Sequence, residues 1–318
     1  MKIYWIHTFN PQIKSAGVFM FDSIKELNLQ KDIIIPVYVP RNISLIKVWI
    51  KLIFLSIREK DSLFHAQYGS YCGLLVSLLP TKRKLITLRG SDYYESNFKE
   101  LRNSRSLVVN RITNLSLLLV DKILVVSKRL QTDLNDKHSL PSTVVNFKPY
   151  MKRFSGVIKT ECRRRLGLED SSFVVLFSSV QNDNPIKRFG LAKESLSIAG
   201  QMNKEIVPLN MVDVQPGDTK YYLGACDLVL LTSFYEGWPN IIKEGLLLGK
   251  PFVATDVSDL KDIALDEINC VVLDVDSSSE DLANAIFELS IKSSCVLHSS
   301  YHTYFDGSAV LTEIYNEY

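Results

Sequence analysis

The sequence predicts an α/β fold of two doubly wound, Rossmann-like domains, and three observations carry that prediction. Short β-branched and aliphatic runs alternate with longer amphipathic stretches, which indicates parallel sheets with helices on their faces. The alternation starts twice, once at the N-terminus and again after residue 150. With 318 residues, 46% of them hydrophobic, the chain is long for one core and sufficient for two.

A first strand is expected at residues 2–8 and a helix at 17–29, joined by a loop over 9–16. Gly17 opens that helix, where its N–H can approach a phosphate closely or simply form a cap. Further strands are expected near 32–39, 62–67, 84–88, 122–127 and 143–147, with helical stretches between them. One such stretch, 45–60, reads LIKVWIKLIFLSIREK and sets Lys47, Lys51, Arg58 and Lys60 among Trp49, Phe54 and several aliphatics. That composition suits either a membrane surface or a helix packed on the sheet. Lys148-Pro149-Tyr150 ends the first series. The second series has a helix at 160–166, a strand at 173–179 and a helix near 187–200. Strands follow near 206–211, 227–232, 251–255 and 270–274, then a helix at 280–289 and a final helix at 308–318. The expected domains are 1–150 and 151–307, followed by the 308–318 helix, with no internal repeat, low-complexity tract or long linker.

Formal net charge is only +2, yet residues 1–150 hold 22 Lys or Arg against 11 Asp or Glu, so the remainder is acidic. Such a split suggests that the first half faces something anionic: a nucleic acid, an anionic leaflet or a diphosphate-linked molecule. Nucleic acid is disfavoured, because no RNA- or DNA-binding motif is present and the basic residues are scattered. Five cysteines, at 72, 162, 226, 270 and 295, form no C-x-x-C pair and fit a reducing compartment. The start Met1-Lys2-Ile3-Tyr4-Trp5-Ile6-His7 lacks the apolar stretch of a signal peptide, and no uncharged run approaches a membrane span. The expected place is the cytosol. Asp274-Val275-Asp276 is a formal D-x-D of the kind that holds Mg2+ or Mn2+, but with Ser277-Ser278-Ser279 it reads better as a strand end and a helix cap. The histidines at 7, 65, 138, 298 and 302 lack metal-ligand spacing, so no metal is expected.

The densest chemistry lies in residues 228–257, LVLLTSFYEGWPNIIKEGLLLGKPFVATDV. An apolar strand at 227–232 leads into a loop at its carboxyl end, where open α/β sheets bind ligands. Pro239 suits a first helical position and Gly249 a helix end, so a helix is expected from 239 to about 248. The N–H groups of Asn240, Ile241 and Ile242 are then expected to be free to face an anion. Glu236 precedes this start and Glu244 lies about one turn inside it. Ionised carboxylates only accept hydrogen bonds, so beside a diphosphate they read sugar or ribose hydroxyls. Lys187, near another helix start after Pro185, can with Arg188 neutralise a leaving diphosphate, with Ser178, Ser179 and Asn182 close by in sequence.

Glu236-Gly237-Trp238-Pro239-Asn240, Ile242-Lys243-Glu244-Gly245 and Gly249-Lys250-Pro251 resemble the E-x7-E signature of retaining family-4 glycosyltransferases. His65-Ala66-Gln67-Tyr68-Gly69 resembles the family's "HAHYG" strand end, and Thr87-Leu88-Arg89-Gly90-Ser91-Asp92 its "TxHGSD" loop. Arg163-Arg164-Arg165-Leu166-Gly167-Leu168 resembles its "RxxLGL" helix, and Asn184-Pro185-Ile186-Lys187-Arg188-Phe189 the stretch with a diphosphate-binding lysine. The resemblance implies a GT-B architecture, two domains facing a cleft, with 1–150 on the acceptor side, 151–307 binding the donor and 308–318 packing back on the first domain. It further implies a retaining, metal-independent, hexosyltransferase-like enzyme that needs no cofactor. Such an enzyme moves a sugar from a nucleoside diphosphate to a hydroxyl of a glycan or polyprenyl-diphosphate-linked acceptor. The implied setting is bacterial surface-polysaccharide synthesis, lipopolysaccharide included, with the protein peripheral on the anionic inner face of the cell membrane.

In that reading Glu236 holds hydroxyls of the transferred sugar and Glu244 those of the ribose. Gly237, Trp238, Pro239, Asn240 and Ile241 form the diphosphate-binding helix start. Lys187 and Arg188 bind the diphosphate, Ser179 and Asn182 assist, and Gly17 closes on it from the other domain. Glu236, Lys187 and Arg89 are the expected catalytic residues. Arg89 departs from the family's histidine: it cannot act as a base but can bind a phosphate or carboxylate bidentately. Ser178-Ser179-Val180 stands where an arginine is common, and the short interval 200–226 leaves the base open. Two other readings stand beside this one: a non-catalytic nucleotide-sugar-binding partner, and a sugar-nucleotide epimerase or hydrolase on the same fold.

Overall fold

The structure is a computed structural model that describes residues 1–13, 16–27, 33–40, 45–94, 104–179, 184–292, 297 and 301–318. The chain divides into two compact units, Met1–Phe147 with Asp306–Tyr318, and Lys148–Phe305. Among the described residues no helix is long and apolar enough to cross a membrane.

The first unit is built on six parallel strands, β1 (Lys2–His7), β2 (Ile33–Tyr38), β3 (Leu63–Ala66), β4 (Lys84–Leu88), β5 (Lys122–Val125) and β6 (Thr143–Val144). Their order is β2-β1-β3-β4-β5-β6. The helices are α1 (Val18–Glu26), α2 (Leu45–Arg58), α3 (Ser70–Ser77), α4 (Ser91–Tyr94), α5 (Ser104–Leu117) and α6 (Lys128–His138). The chain steps from β1 to β2 in one direction and from β2 onward in the other. Right-handed crossovers therefore place α1 on one face of the sheet and α2, α3, α5 and α6 on the opposite one. Ile3, Trp5, Leu63, Phe64, Leu85 and Ile86 are fully buried, as expected where a strand is covered on both faces.

The last helix of the chain (Ser308–Asn316) fastens to this unit through a buried polar chain. Trp5 Nε1 donates to Tyr315 Oη (2.9 Å), which lies 2.8 Å from His65 Nδ1, while His65 Nε2 lies 2.6 Å from Thr87 Oγ1. His65 is thus a satisfied core residue. Burial lowers its pKa from 6.5 to about 3, and that of His7 to about 4. In the unfolded chain each imidazole gains a proton below about pH 6.5, which the folded core refuses. The stability they permit is complete above pH 6.5 and falls toward pH 3, by about 1.4 kcal/mol per pH unit for each refused proton. Urea midpoints should fall between pH 7 and pH 4.5, with a shallower slope in His65→Gln; a flat wild-type profile would contradict this.

Strand β6 ends at Val144, three residues before the expected end at 147. The reason is non-local: the Asn146 carbonyl accepts the Gly307 N–H at 2.8 Å instead of a neighbouring strand.

The second unit has five parallel strands, β7 (Phe173–Ser179), β8 (Ile206–Val212), β9 (Leu228–Leu231), β10 (Phe252–Thr255) and β11 (Val271–Leu273), in the order β11-β10-β9-β7-β8. Its helices are α7 (Lys159–Leu166), α8 (Phe189–Met202), α9 (Thr219–Ala225), α10 (Asn240–Leu247), α11 (Leu260–Asp266) and α12 (Ser279–Ser290). One core cluster joins Val175, Phe177, Leu228 and Val253 of the sheet to Leu196 of α8 and Ile286 of α12. The reversal of direction falls between β8 and β9, which flank β7, so a ligand is expected at the carboxyl ends of β7 and β9. The helix expected near 187–200 is interrupted: a 3-10 turn Pro185–Lys187 precedes α8, because Arg188 adopts a left-handed conformation (φ 49°) between them.

A buried arginine ties α7 to this sheet. Arg163 is 1% exposed, and its Nε donates to Ala225 O (3.1 Å). Nη1 donates to Asp170 O (2.5 Å) and Glu169 O (3.2 Å), and Nη2 to Ser172 O (2.9 Å) and Asp227 Oδ2 (2.6 Å). Asp227 also accepts Val174 N (2.7 Å) and Lys159 Nζ (2.5 Å).

Candidate functional site

Beyond β9 the loop 232–239 is held from both sides before any ligand arrives. On one side Thr232 Oγ1 donates to Lys187 O (2.6 Å) and Phe234 N to Ile186 O (2.9 Å). On the other, Thr255 Oγ1 donates to Ser233 O (2.7 Å) and Ser258 Oγ to Gly237 O (2.6 Å). Arg188 braces the junction: Nε donates to Thr232 O (2.5 Å), Nη1 to Val275 O (2.6 Å), and the guanidinium covers the Phe234 ring at 4.5 Å. Two of its nitrogens are therefore spent on backbone carbonyls. Its third nitrogen, Nη2, makes no hydrogen bond among the described residues, so bracing leaves one donor for the phosphate role expected of Arg188.

Lys187 and Glu236 come together at this junction, with Nζ 2.5 Å from Oε1. Ser233 Oγ donates to the same Oε1 at 2.9 Å. Among the described residues no hydrogen bond reaches Glu236 Oε2, which leaves that oxygen to accept a ligand hydroxyl. Glu244, buried in α10, pairs with Arg153 Nη2, and the Arg153 guanidinium lies 4.8 Å over the Phe154 ring. Each carboxylate of the pair thus faces a cation. Arg153 was not expected from the sequence, where 91 residues separate it from Glu244 and no local signal links them.

The start of α10 differs in detail from expectation. Pro239 is the N-cap (φ −70°, ψ 114°) and Asn240 the first helical residue. Its carbonyl accepts the N–H of both Ile242 and Lys243 at 3.1 Å, so Ile242 N–H is occupied. The tight first turn leaves Asn240 and Ile241 as the amides that can serve an anion, with Asn240 exposed and Ile241 buried. Trp238 is an anchor: it is 6% exposed, meets the Phe305 ring edge-on at 4.9 Å, and has Lys243 Nζ 5.3 Å from its ring. Ser179 ends β7, buried, and Asn182 lies outside the described residues.

The remaining candidates, Gly17 and Arg89, belong to the first unit and share a neighbourhood there. Gly17 has φ +69°, and a Cβ on it would stand 2.5 Å from the Phe9 ring, so packing as well as backbone conformation demands glycine. Phe9 meets Phe19 edge-on at 5.1 Å, and the Arg89 guanidinium lies between Phe19 (4.8 Å) and Phe147 (4.7 Å). Arg89 Nε donates to Gln67 O (2.9 Å) and Nη2 to Gln67 Oε1 (2.6 Å). Burial lowers the Arg89 pKa to about 10, which leaves it cationic at neutral pH. Asp92 fixes the same loop by accepting the N–H groups of Gly69 (2.7 Å), Gly90 (2.9 Å) and Arg89 (3.0 Å).

Asp274 is exposed and pairs with Lys261 at 3.8 Å. Among the described residues no group of three or more His, Cys, Asp or Glu is placed to hold a metal ion. The chemistry that this site offers is that of an ammonium, two helix-start amides, a carboxylate in the loop after β9 and a second carboxylate inside α10: anion binding beside hydroxyl recognition.

Residues 189–291 match the family model described as glycosyl transferases group 1. Over 241 residues the chain is 25% identical to TuaC of Bacillus subtilis (strain 168), a glycosyltransferase whose name assigns it to teichuronic acid biosynthesis. That alignment covers 65% of this chain and 57% of TuaC, so the chain spans little more than half of that relative. The structure superimposes on that of HepE of Anabaena in complex with UDP-glucose with a TM-score of 0.71 at 16% identity, covering 100% of this chain and 98% of HepE. It is also similar to WaaG, a glycosyltransferase involved in lipopolysaccharide biosynthesis, with a TM-score of 0.65 at 11% identity over 98% of this chain and 95% of WaaG. The fold, two parallel-sheet α/β units, is that of GT-B glycosyltransferases.

Proposed function

We propose that this protein is a retaining glycosyltransferase that moves a sugar from a nucleoside diphosphate to a hydroxyl of a glycan or lipid-linked acceptor in bacterial surface-polysaccharide synthesis. The observation that carries the reading is the junction of Lys187, Glu236 and the start of α10, within or next to the segment that matches glycosyl transferases group 1. TuaC and WaaG, by their names, act in cell-surface polysaccharide synthesis, and HepE holds UDP-glucose.

In this reading Lys187 and the amides of Asn240 and Ile241 take up the charge that develops on the departing diphosphate, as preorganised donors do in a site shielded from water. Glu236 Oε2 accepts hydroxyls of the transferred sugar, while Oε1 stays fixed by Ser233. Glu244 accepts the ribose hydroxyls, its orientation set by Arg153. Arg89, pinned to Gln67, holds a strand-end loop of the first unit and moves no proton. With leaving-group charge met by protein donors, transfer proceeds without a divalent metal. The acceptor, carried on a glycan or polyprenyl diphosphate of the lipopolysaccharide kind, places the enzyme against the inner face of the membrane.

A thermal-shift series against UDP, GDP, ADP and their sugar conjugates, with and without EDTA, tests the donor site. Binding stabilises the folded state by about 2.7 kcal/mol at one hundred times Kd. The expected result is a shift with one base that persists in EDTA and is lost in Glu244→Ala. No shift with any nucleotide would remove the reading, and binding without transfer to any acceptor would leave a donor-binding partner in its place.

A further inference from the structure

The first unit presents a surface that the proposed chemistry does not use. On α2, Ile46, Ile50, Phe54 and Ile57 are 65%, 43%, 68% and 54% exposed. At about 100° per residue these four fall within an arc of about 80°, one continuous apolar stripe along the helix. Lys47, Lys51 and Arg58, all exposed, fall in the adjoining arc of about 40°. The far side of the helix buries Leu52 and Ser56 against the unit. Sequence alone left two roles for this stretch, sheet packing and surface contact, and its two faces are suited to one each.

The neighbouring helices extend the pattern. Each of α2, α3 and α5 runs between strands in the same direction across the sheet, so right-handed crossovers put all three on one face, and α3 packs against both others. Exposed Val108 and Leu115 stand on α5 beside exposed Arg105 and Arg111. Where α3 ends, Leu78 and Lys82 are exposed. The sequences of α2, α3 and α5 contain neither Asp nor Glu. A face evolved only for water intersperses both signs of charge, and exposed apolar stripes bordered by charge mark contact surfaces. Docking onto a second copy of the same face would set one basic rail against another, an arrangement that like charge opposes. An anionic sheet of phosphates over hydrocarbon satisfies both halves of the pattern.

We infer that this face, centred on α2, docks the protein on an anionic lipid bilayer, the stripe entering the headgroup boundary and the basic rail lying on lipid phosphates. The inference rests on the membrane placement in the proposed function and is independent of its donor chemistry. It is tested by flotation with vesicles of phosphatidylcholine alone and of phosphatidylcholine mixed with phosphatidylglycerol. The proteins compared are wild type, Ile50→Ser with Phe54→Ser, and Lys47→Gln with Lys51→Gln. Exposed positions of this kind tolerate substitution, so melting midpoints and nucleotide-induced shifts should match wild type. Wild type should float with the mixed vesicles and not with phosphatidylcholine alone, and high salt should weaken it. Each double variant should lose about tenfold or more of its partition. A wild type that fails to float, or variants that float equally well, would overturn the inference. So would a lipid-free dimer of wild type that both variants abolish, since the face would then join two copies. Flotation without any nucleotide shift would sink the donor reading and leave this surface standing.

Discussion

Arg163→Ala is expected to lower the stability of the second unit by about 3–5 kcal/mol, because several carbonyls lose a donor at about 1–3 kcal/mol each. The side chain is 1% exposed, and its donors serve four carbonyls and one carboxylate. Alanine leaves the carbonyls of Ala225, Asp170 and Ser172 without that donor, the one at Ala225 in a buried position. Asp227 keeps Lys159 and the Val174 amide, so the damage lies in lost donors more than in one bare charge. Lysine is no substitute, because three donors on one nitrogen cannot span a fork of acceptors. Urea unfolding followed by hydrogen exchange at β7 and β9 amides reads this unit separately from the other. A loss below about 1 kcal/mol, the range of surface changes, would show that the clamp is dispensable.

Lys187→Ala is expected to reduce kcat/KM by about a hundred- to a thousandfold, or roughly 2.7–4 kcal/mol of transition-state stabilisation, the usual effect of deleting one preorganised donor. Two effects add in the same direction. The diphosphate loses a cation as its charge grows, and Glu236 loses the ammonium that offsets its own negative charge. Stability should barely change, because partly exposed pairs of this kind contribute about 0–1 kcal/mol. A transfer assay beside a melting curve separates the two quantities. Unchanged kcat/KM would reduce Lys187 to a surface residue, whereas a fall in activity matched by a fall in melting midpoint would make its role structural.

How much of this could be read from the sequence depended on whether the deciding partner was local. Strands β4 and β7 fall where apolar runs predict them, since a strand buried on both faces announces itself residue by residue. The start of α10 was legible to within one residue from Pro239 and Gly249. Three features were not legible. The early end of β6 depends on Gly307, far along the chain. Arg153 meets Glu244 only through folding. Arg163 stood inside a recognisable motif, but its function as a clamp needs Asp227, 64 residues away. Arg188 adds a part that its position beside Lys187 did not announce: two of its nitrogens donate to the Thr232 and Val275 carbonyls.

The polar chain from Trp5 through Tyr315 to His65 and Thr87 joins residues 310 positions apart in sequence, and this bears on the order in which the molecule is made. Every residue of the second unit leaves the ribosome between β6 and the helix that completes the first unit. Until Tyr315 emerges, the hydroxyl that faces His65 and Trp5 is missing, and one side of the first core stays open. Domains are usually finished in the order of their synthesis. Here the unit whose strands are made first is closed only after the second, so the face that receives the helix at Ser308–Asn316 stays uncovered while residues 148–305 are made.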